Sequence, residues 1–338
     1  MSRLIYSLLL NSLILFLASC GQNAPPLSGP APDSTTQAFH SADVTIDTGA
    51  VTLAGTLLTP LEEKPVPAVI IIPGSGAATR DGSWNMYRSI GDYLVQRGIA
   101  VLLYDKRGVG GSTGDWESET FDERAQDVAA MVTYLQSRKE IDPRQIGLVG
   151  HSQGAYIAPL VVAEFSSDIK FVVLLAGSGE KVWDQILMNE RAESLGNGLS
   201  EDEANERVAD LEGQLQFIQK VRSPCRLLKA HYLCFVLDYD PAPVLERLTV
   251  PTLALYAELD TQVPPEVNIP LVESALKTTG NDDYTIHTFE KANHWFAPAE
   301  IGMTTEMRKL MEGSDGYQFV PGFLELIGDW ITARVLVE

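Results

Sequence analysis

Basic residues are in short supply: 25 Lys and Arg stand against 45 Asp and Glu in 338 residues, a net charge of −20. A chain this acidic repels phosphate backbones, which argues against a nucleic-acid partner. The same charge balance argues against adsorption to anionic lipid through a basic patch. The three cysteines are too few for a disulfide scaffold, and no pair has CxxC metal spacing. No internal repeat is visible. What remains is an ordinary globular composition, 45% hydrophobic with 27 Gly and 19 Pro. A length of 338 residues can be held around one large sheet.

The longest apolar stretch runs from Leu4 to Leu17, broken only by Ser7, Asn11 and Ser12. It is shorter than the ~20 residues a membrane-spanning helix needs and suits the core of a signal peptide. It closes on Leu17-Ala18-Ser19-Cys20-Gly21, which resembles a bacterial lipobox. That resemblance implies a signal peptide over 1–19 cleaved before Cys20, lipid on the Cys20 sulfur, and an exported protein held at a membrane, periplasmic or cell-surface, by its acyl chains alone. An ordinary secretory signal with an incidental cysteine is the alternative. Residues 20–40, rich in Pro, Ser, Thr, Ala and Gly, read as a flexible linker. With Cys20 lipidated, Cys225 and Cys234 remain as an even pair in an oxidising compartment, and a disulfide between them is expected; two separate buried thiols are the alternative.

From residue 41 onward short apolar runs alternate with amphipathic ones. Val44–Ile46 and Val51–Leu58 look like a leading antiparallel pair. Ala68–Ile72, Ile99–Tyr104, Ile146–Val149, Phe171–Leu175, Thr252–Tyr256 and Tyr284–Phe289 follow, β-branched and nearly unbroken, as parallel strands covered on both faces are. Helical stretches at about 84–97, 121–138, 153–164, 266–278 and 321–335 separate or follow them. The alternation predicts one α/β domain over 41–338, an eight-stranded, mostly parallel sheet flanked by helices. Between Leu175 and Val250 the strand rhythm stops. Ser200-Glu201-Asp202-Glu203 is a capping-box signature, and Ala204, Val208, Leu211, Leu215 and Ile218 form one apolar stripe. Residues 178–248, inserted after the sixth strand, are expected to form a helical cap over the sheet edge where ligands bind; an elaboration that only stabilises the rim is the alternative.

Two copies of G-x-S-x-G compete for a nucleophile. Gly110–Gly114 lies six residues past a strand and opens no helix, so Ser112 reads as a loop serine. Gly150-His151-Ser152-Gln153-Gly154 follows a strand directly and opens directly into a helical run, the strand–elbow–helix setting that exposes a reactive hydroxyl. Asp260 follows the Thr252–Tyr256 strand, where a carboxylate can orient a histidine; Glu258, two residues nearer the strand, reads as a rim charge. Of the five histidines, His40 falls in the linker, His231 in the cap and His287 inside a strand, while His151 points across the elbow. His294, in a loop after the last strand, can reach Ser152. Backbone N–H groups of Gln153 and of Ser75, in Pro73-Gly74-Ser75-Gly76, are the expected oxyanion donors. That glycine-rich turn lacks the Lys-Ser/Thr ending of a P-loop and the spacing of a dinucleotide fingerprint. Asp105 and Arg107 read as a structural turn with an ion pair. Arg80-Asp81 either lines the entrance or braces the loop, and Trp295-Phe296 packs beside the site.

Taken together, Ile72–Gly76, Tyr104–Ser112, Gly150–Gly154, Tyr239-Asp240-Pro241, Leu259–Pro264 and Asn293-His294 resemble the α/β-hydrolase superfamily over essentially all of 41–338. More narrowly they resemble its bacterial serine aminopeptidase-like (S33-type) and dienelactone-hydrolase-related branch, which includes cinnamoyl and feruloyl esterases. The chain departs from that branch at Gln153, where Glu is frequent, at Ala155, where Gly is frequent, and at Pro73-Gly74, where many superfamily members have His-Gly. None of these removes the N–H of Gln153 or Ser75, the expected oxyanion donors.

The resemblance and the residues together imply a serine hydrolase acting on small-molecule carboxylic esters of small to medium acyl groups. Ser152 would attack, His294 would serve as base and Asp260 would orient it, with no metal and no organic cofactor. An aminopeptidase, with cap acids such as Glu201 or Glu203 holding the substrate amine, and a thioesterase are further readings. A catalytically silent binding lipoprotein belongs to a different class.

Overall fold

The computed structural model describes residues 39–165, 168–227, 232–311 and 316–335. The signal peptide, Cys20, the linker up to residue 38 and His231 lie outside the described residues.

Eight strands form one sheet: β1 (Phe39–Asp47), β2 (Thr52–Pro60), β3 (Val66–Ile72), β4 (Ala100–Tyr104), β5 (Ile141–His151), β6 (Ile169–Leu175), β7 (Thr252–Ala257) and β8 (Tyr284–Phe289). Their spatial order is β1-β2-β4-β3-β5-β6-β7-β8. β2 runs antiparallel to β1 and β4, and every other neighbouring pair is parallel. The unbroken apolar runs account for this. Every residue of β3, β4 and β7 is buried, because helices cover both faces, so these strands show no inside–outside alternation. One face carries α2 (Phe121–Gln136) and α3 (Gly154–Leu160); the other carries α1 (Met86–Val95) and α11 (Phe323–Val335). Thr120 starts α2 with a reciprocal capping box to Glu123, satisfying two backbone donors that the first turn would leave orphaned.

One boundary differs from the sequence reading. The linker expected over 20–40 cannot extend to residue 40, because β1 begins at Phe39 and His40 pairs with Thr59. The ladder against β2 begins five residues before the apolar Val44–Ile46 run. Pairing with a neighbouring strand decides the end of an edge strand, not hydrophobicity.

The insertion after β6 is helical as expected: α4 (Val182–Gly196), α5 (Glu201–Lys220), α6 (Arg222–Leu227), α7 (Leu233–Val236) and α8 (Ala242–Leu245). Ser200 and Glu203 cap α5 reciprocally. Ala204, Leu211, Leu215 and Ile218 are buried along one stripe of that helix, with Val208 half-buried. Cys225 and Cys234 are joined by a disulfide with Cα atoms 6.1 Å apart, a separation that a disulfide spans without backbone distortion. α9 (Pro265–Thr279) and α10 (Thr304–Met311) complete the helices. No helix among the described residues is long and apolar enough to cross a membrane.

Candidate active site

The turn from β5 into α3 is as sharp as the sequence implies. Ser152 sits at φ 53°, in the left-handed region that costs a non-glycine residue about 1–3 kcal/mol. Its N–H is tied to the Leu175 carbonyl at the tip of β6 (2.8 Å). The flanking glycines exist because the turn is crowded. A Cβ on Gly150 would stand 2.3 Å from the Gly154 carbonyl oxygen, and one on Gly154 would stand 2.1 Å from that of Ile72. The rival Ser112 is a structural residue. Its hydroxyl donates to the Asp105 carbonyl (2.7 Å) and accepts from the Ala54 N–H (2.9 Å).

Asp260 and His294 come together at the same sheet edge. Nδ1 of His294 lies 2.7 Å from Oδ2 of Asp260, and both residues are almost fully buried. A carboxylate only accepts, so Nδ1 carries the proton and Nε2 is left with its lone pair. The other carboxylate oxygen of Asp260 accepts the N–H groups of Gln262 and Val263, each at 2.8 Å. These bonds hold the acid in one rotamer. Glu258 is exposed and accepts the Lys291 N–H, a rim role.

His151 ties the elbow to the His294 loop. Its Nε2 is 3.1 Å from the His294 carbonyl oxygen and its Nδ1 is 3.0 Å from the Tyr87 hydroxyl. Burial drives the His151 pKa down to about 3, so the ring is neutral. A carbonyl can only accept, which assigns the proton to Nε2 and makes Nδ1 the acceptor of the Tyr87 O–H. Tyr87 in turn accepts the Gly74 N–H (2.9 Å). The Ser152 turn, the Pro73–Gly76 loop and the His294 loop thus share one chain of hydrogen bonds. Asn293 adds to it by accepting the N–H groups of Trp295 and Ala297, and Tyr317 donates to the Trp295 carbonyl (2.6 Å). The Trp295 ring stands 5.3 Å from that of His294, edge to face.

Gly74 packs directly on Ser152; a Cβ there would lie 3.4 Å from that of Ser152. Among the described residues, neither the Ser75 N–H nor the Gln153 N–H donates to a protein acceptor.

Behind the loop lies a buried charged cluster that sequence reasoning missed. Arg124 donates to the Pro73 carbonyl (2.8 Å) and to Oε1 of Gln153 (2.5 Å). Lys106 donates to the carbonyls of Gly76 (2.9 Å) and Gly74 (3.4 Å). Burial, then the Arg124 charge, pulls the Lys106 amine well below its ordinary range. Burial raises Glu119 to about 7, against the opposing charges of Arg124 and Lys106. The cap reaches this cluster through Tyr232, whose hydroxyl is bonded to Nε2 of Gln153 and whose ring lies 5.9 Å from that of Trp116. Lys106 sits inside the very segment, Tyr104–Ser112, that marks the sheet edge. It stands two residues past the end of β4, and nothing in the local sequence marks it as buried.

Asp105 and Arg107 are both ion-paired, though not with each other. Asp105 pairs with Arg80 (2.8 Å), and Arg107 with Asp127 (2.7 Å) and Glu119 (3.2 Å). Arg80 also holds Asp43 and the Gly55 carbonyl, so it braces the loop. The cap acids offered for a peptidase are occupied at the surface: Glu203 caps α5 and Glu201 pairs with Arg191.

The alpha/beta hydrolase fold family matches residues 67–216. Among curated proteins the chain is similar to the esterase EstD of Thermotoga maritima, 25% identical over 288 residues, 82% of this chain and 65% of EstD. The match therefore spans a little under two thirds of that relative. Among solved structures it is similar to the Pyrococcus furiosus esterase Pf2001, with TM-score 0.57 and 17% identity over 93% of this chain and all of that one. It is also similar to a dienelactone hydrolase of Anabaena variabilis, with TM-score 0.52 and 14% identity over 88% of this chain and all of that one. At these identities the solved structures speak for the fold alone.

Proposed function

We propose that this chain, which has the α/β-hydrolase fold, is a member of that superfamily and cleaves carboxylic esters of small to medium acyl groups through an acyl-enzyme. Ser152 attacks the carbonyl carbon while Nε2 of His294 takes its proton. Asp260 keeps the imidazole in the tautomer that leaves Nε2 free, and stabilises the cation that forms. The N–H groups of Gln153 and Ser75 receive the negative charge on the carbonyl oxygen. Collapse expels the alcohol, which takes the proton from His294. Water, activated by the same base, then releases the acid. The observation that carries this reading is the 2.7 Å bond from His294 Nδ1 to Asp260, in a loop that His151 ties to the strained Ser152 turn. EstD, an esterase by name, supports ester over peptide substrates, as does the engagement of Glu201 and Glu203 elsewhere.

We further propose that the protein is exported and held at a membrane by lipid on Cys20. The Cys225–Cys234 disulfide supports an oxidising compartment. Metabolic labelling with an alkyne fatty acid tests the anchor: label is expected on the native chain and absent from Cys20→Ala.

The catalytic reading is tested by turnover of aryl esters of graded acyl length beside matched thioesters and aminoacyl amides. Short and medium esters are expected to give the highest kcat/KM, and a preference for the amides would replace the esterase reading by the peptidase one.

A further inference from the structure

An oxyanion hole depends on the direction of its N–H bonds as much as on their presence, and the loop that supplies one of them here is a glycine-flanked turn with no secondary structure of its own. A backbone peptide is planar and trans, so its C=O and N–H point in opposite directions. Whatever holds the Gly74 carbonyl therefore aims the Ser75 N–H. That carbonyl lies 3.4 Å from the Lys106 amine, which also holds the Gly76 carbonyl at 2.9 Å. Arg124 holds the preceding carbonyl, that of Pro73, at 2.8 Å. On the opposite side the Gly74 N–H is taken by Tyr87, and Gly74 rests on Ser152.

We propose that Lys106 is the positioning residue of the oxyanion hole, clamping the Gly74–Ser75 peptide so that the Ser75 N–H points at the carbonyl oxygen under attack by Ser152. The proposal rests on the esterase reading and names a residue that touches neither substrate nor the reacting atoms. Several features fit a clamp better than a surface charge. Lys106 is only 2% exposed, the face of Trp116 lies 5.4 Å from its amine, and the carbonyls of Gly74 and Gly76 accept from it without any carboxylate in direct contact. Two carbonyls need two N–H donors, which an amine offers whether or not it is charged. A buried lysine retained at such a place has a cost to meet, and orienting a peptide at the reaction centre is a use that meets it.

The experiment compares the full-length wild type with Lys106→Met, which keeps the length of the side chain and removes its donors. Losing one oxyanion donor lowers kcat by roughly 10²–10³. Lys106→Met is expected to lose kcat in that range with KM changed less than threefold. It should bind an aryl trifluoromethyl ketone, whose adduct mimics the tetrahedral intermediate, more weakly by the same factor. Binding of the unreactive methyl ketone of the same shape should not change. Ethylammonium added to Lys106→Ala should restore part of kcat. Met131→Ala, a cavity in the core between α2 and the sheet, serves as a destabilised control that keeps its kcat. If Lys106→Met folds and keeps wild-type kcat and ketone affinity, the clamp is wrong. If both ketones weaken together, Lys106 shapes the pocket and does not aim the donor, and the proposal is again overturned. Should Lys106→Met not fold, Lys106→Ala with ethylammonium carries the test, and no recovery in a folded protein counts against the clamp. A wild type that turns over no ester would overturn the reading beneath it, an outcome distinct from these.

Discussion

The neutral ring of His151, the residue before Ser152, donates its Nε2–H to the backbone carbonyl of His294 at 3.1 Å. The residue before the proposed nucleophile is therefore tied to the backbone of the proposed base. Displacing one loop displaces the other. His151→Ala is expected to lower kcat by roughly 10-fold or more, since small misplacements of reacting groups are expensive, while KM moves less. An unchanged kcat in a folded variant would show that the histidine loop holds itself in place.

The same residue sets a pH dependence of stability. The folded pKa of about 3 lies below the ~6.5 of an unfolded histidine. Between those values the unfolded chain binds a proton that the folded one refuses, so stability rises with pH across that window and falls as pH drops from about 6.5 towards 3. The contribution is at most about 5 kcal/mol. Urea unfolding of the wild type and His151→Gln from pH 7.5 to 4.5 checks it. The stability gap between them should narrow as the pH falls, and a constant gap would contradict the assignment of a neutral, buried ring.

Asp260→Asn should leave the fold intact and lower kcat by about 10⁴-fold, because an amide can stabilise the wrong imidazole tautomer. Activity within tenfold of wild type would remove Asp260 from the mechanism and reopen the question for Glu258.

At the elbow, Gly154→Ala places a Cβ 2.1 Å from the Ile72 carbonyl oxygen. The atoms it would meet are all backbone, of Ile72 and Pro73, which leaves little room to relax, so a loss of at least about 1–3 kcal/mol is expected, together with most of the activity. Thermal unfolding and ester turnover measured on the same sample test this. A variant with native Tm and native turnover would mean that the turn is less crowded than described.

How much of this could be read from the chain differs sharply by feature. The sheet was legible because β3, β4 and β7 are continuous apolar runs, and the elbow was legible because only one of two G-x-S-x-G copies joins a strand to a helix. The start of β1 was not, since pairing and not hydrophobicity extends it to Phe39 and His40. Lys106, Arg124 and Glu119 were not legible either. In a sequence a charged residue reads as solvated, and only the return of distant segments shows that these three are buried on one another beneath Pro73–Gly76. Tyr232 was hidden for a different reason: the Cys225–Cys234 bond closes a loop that brings a cap residue to Gln153.

That loop gives a further expectation. Reduction should raise the intact mass by two hydrogens and lower the stability of the cap by about 2–3 kcal/mol, as opening a short disulfide loop does. With the Tyr232–Gln153 contact loosened, kcat/KM should fall several-fold. No mass change on reduction would end the idea.

The central claim is that Ser152 is an activated nucleophile, and active-site labelling tests it most directly. A fluorophosphonate probe, followed by digestion and mass mapping, should modify Ser152 alone in the wild type, slow by orders of magnitude in His294→Ala, and leave Ser112 untouched. Labelling at any other serine, or labelling of Ser152 at the same rate without His294, would contradict the account.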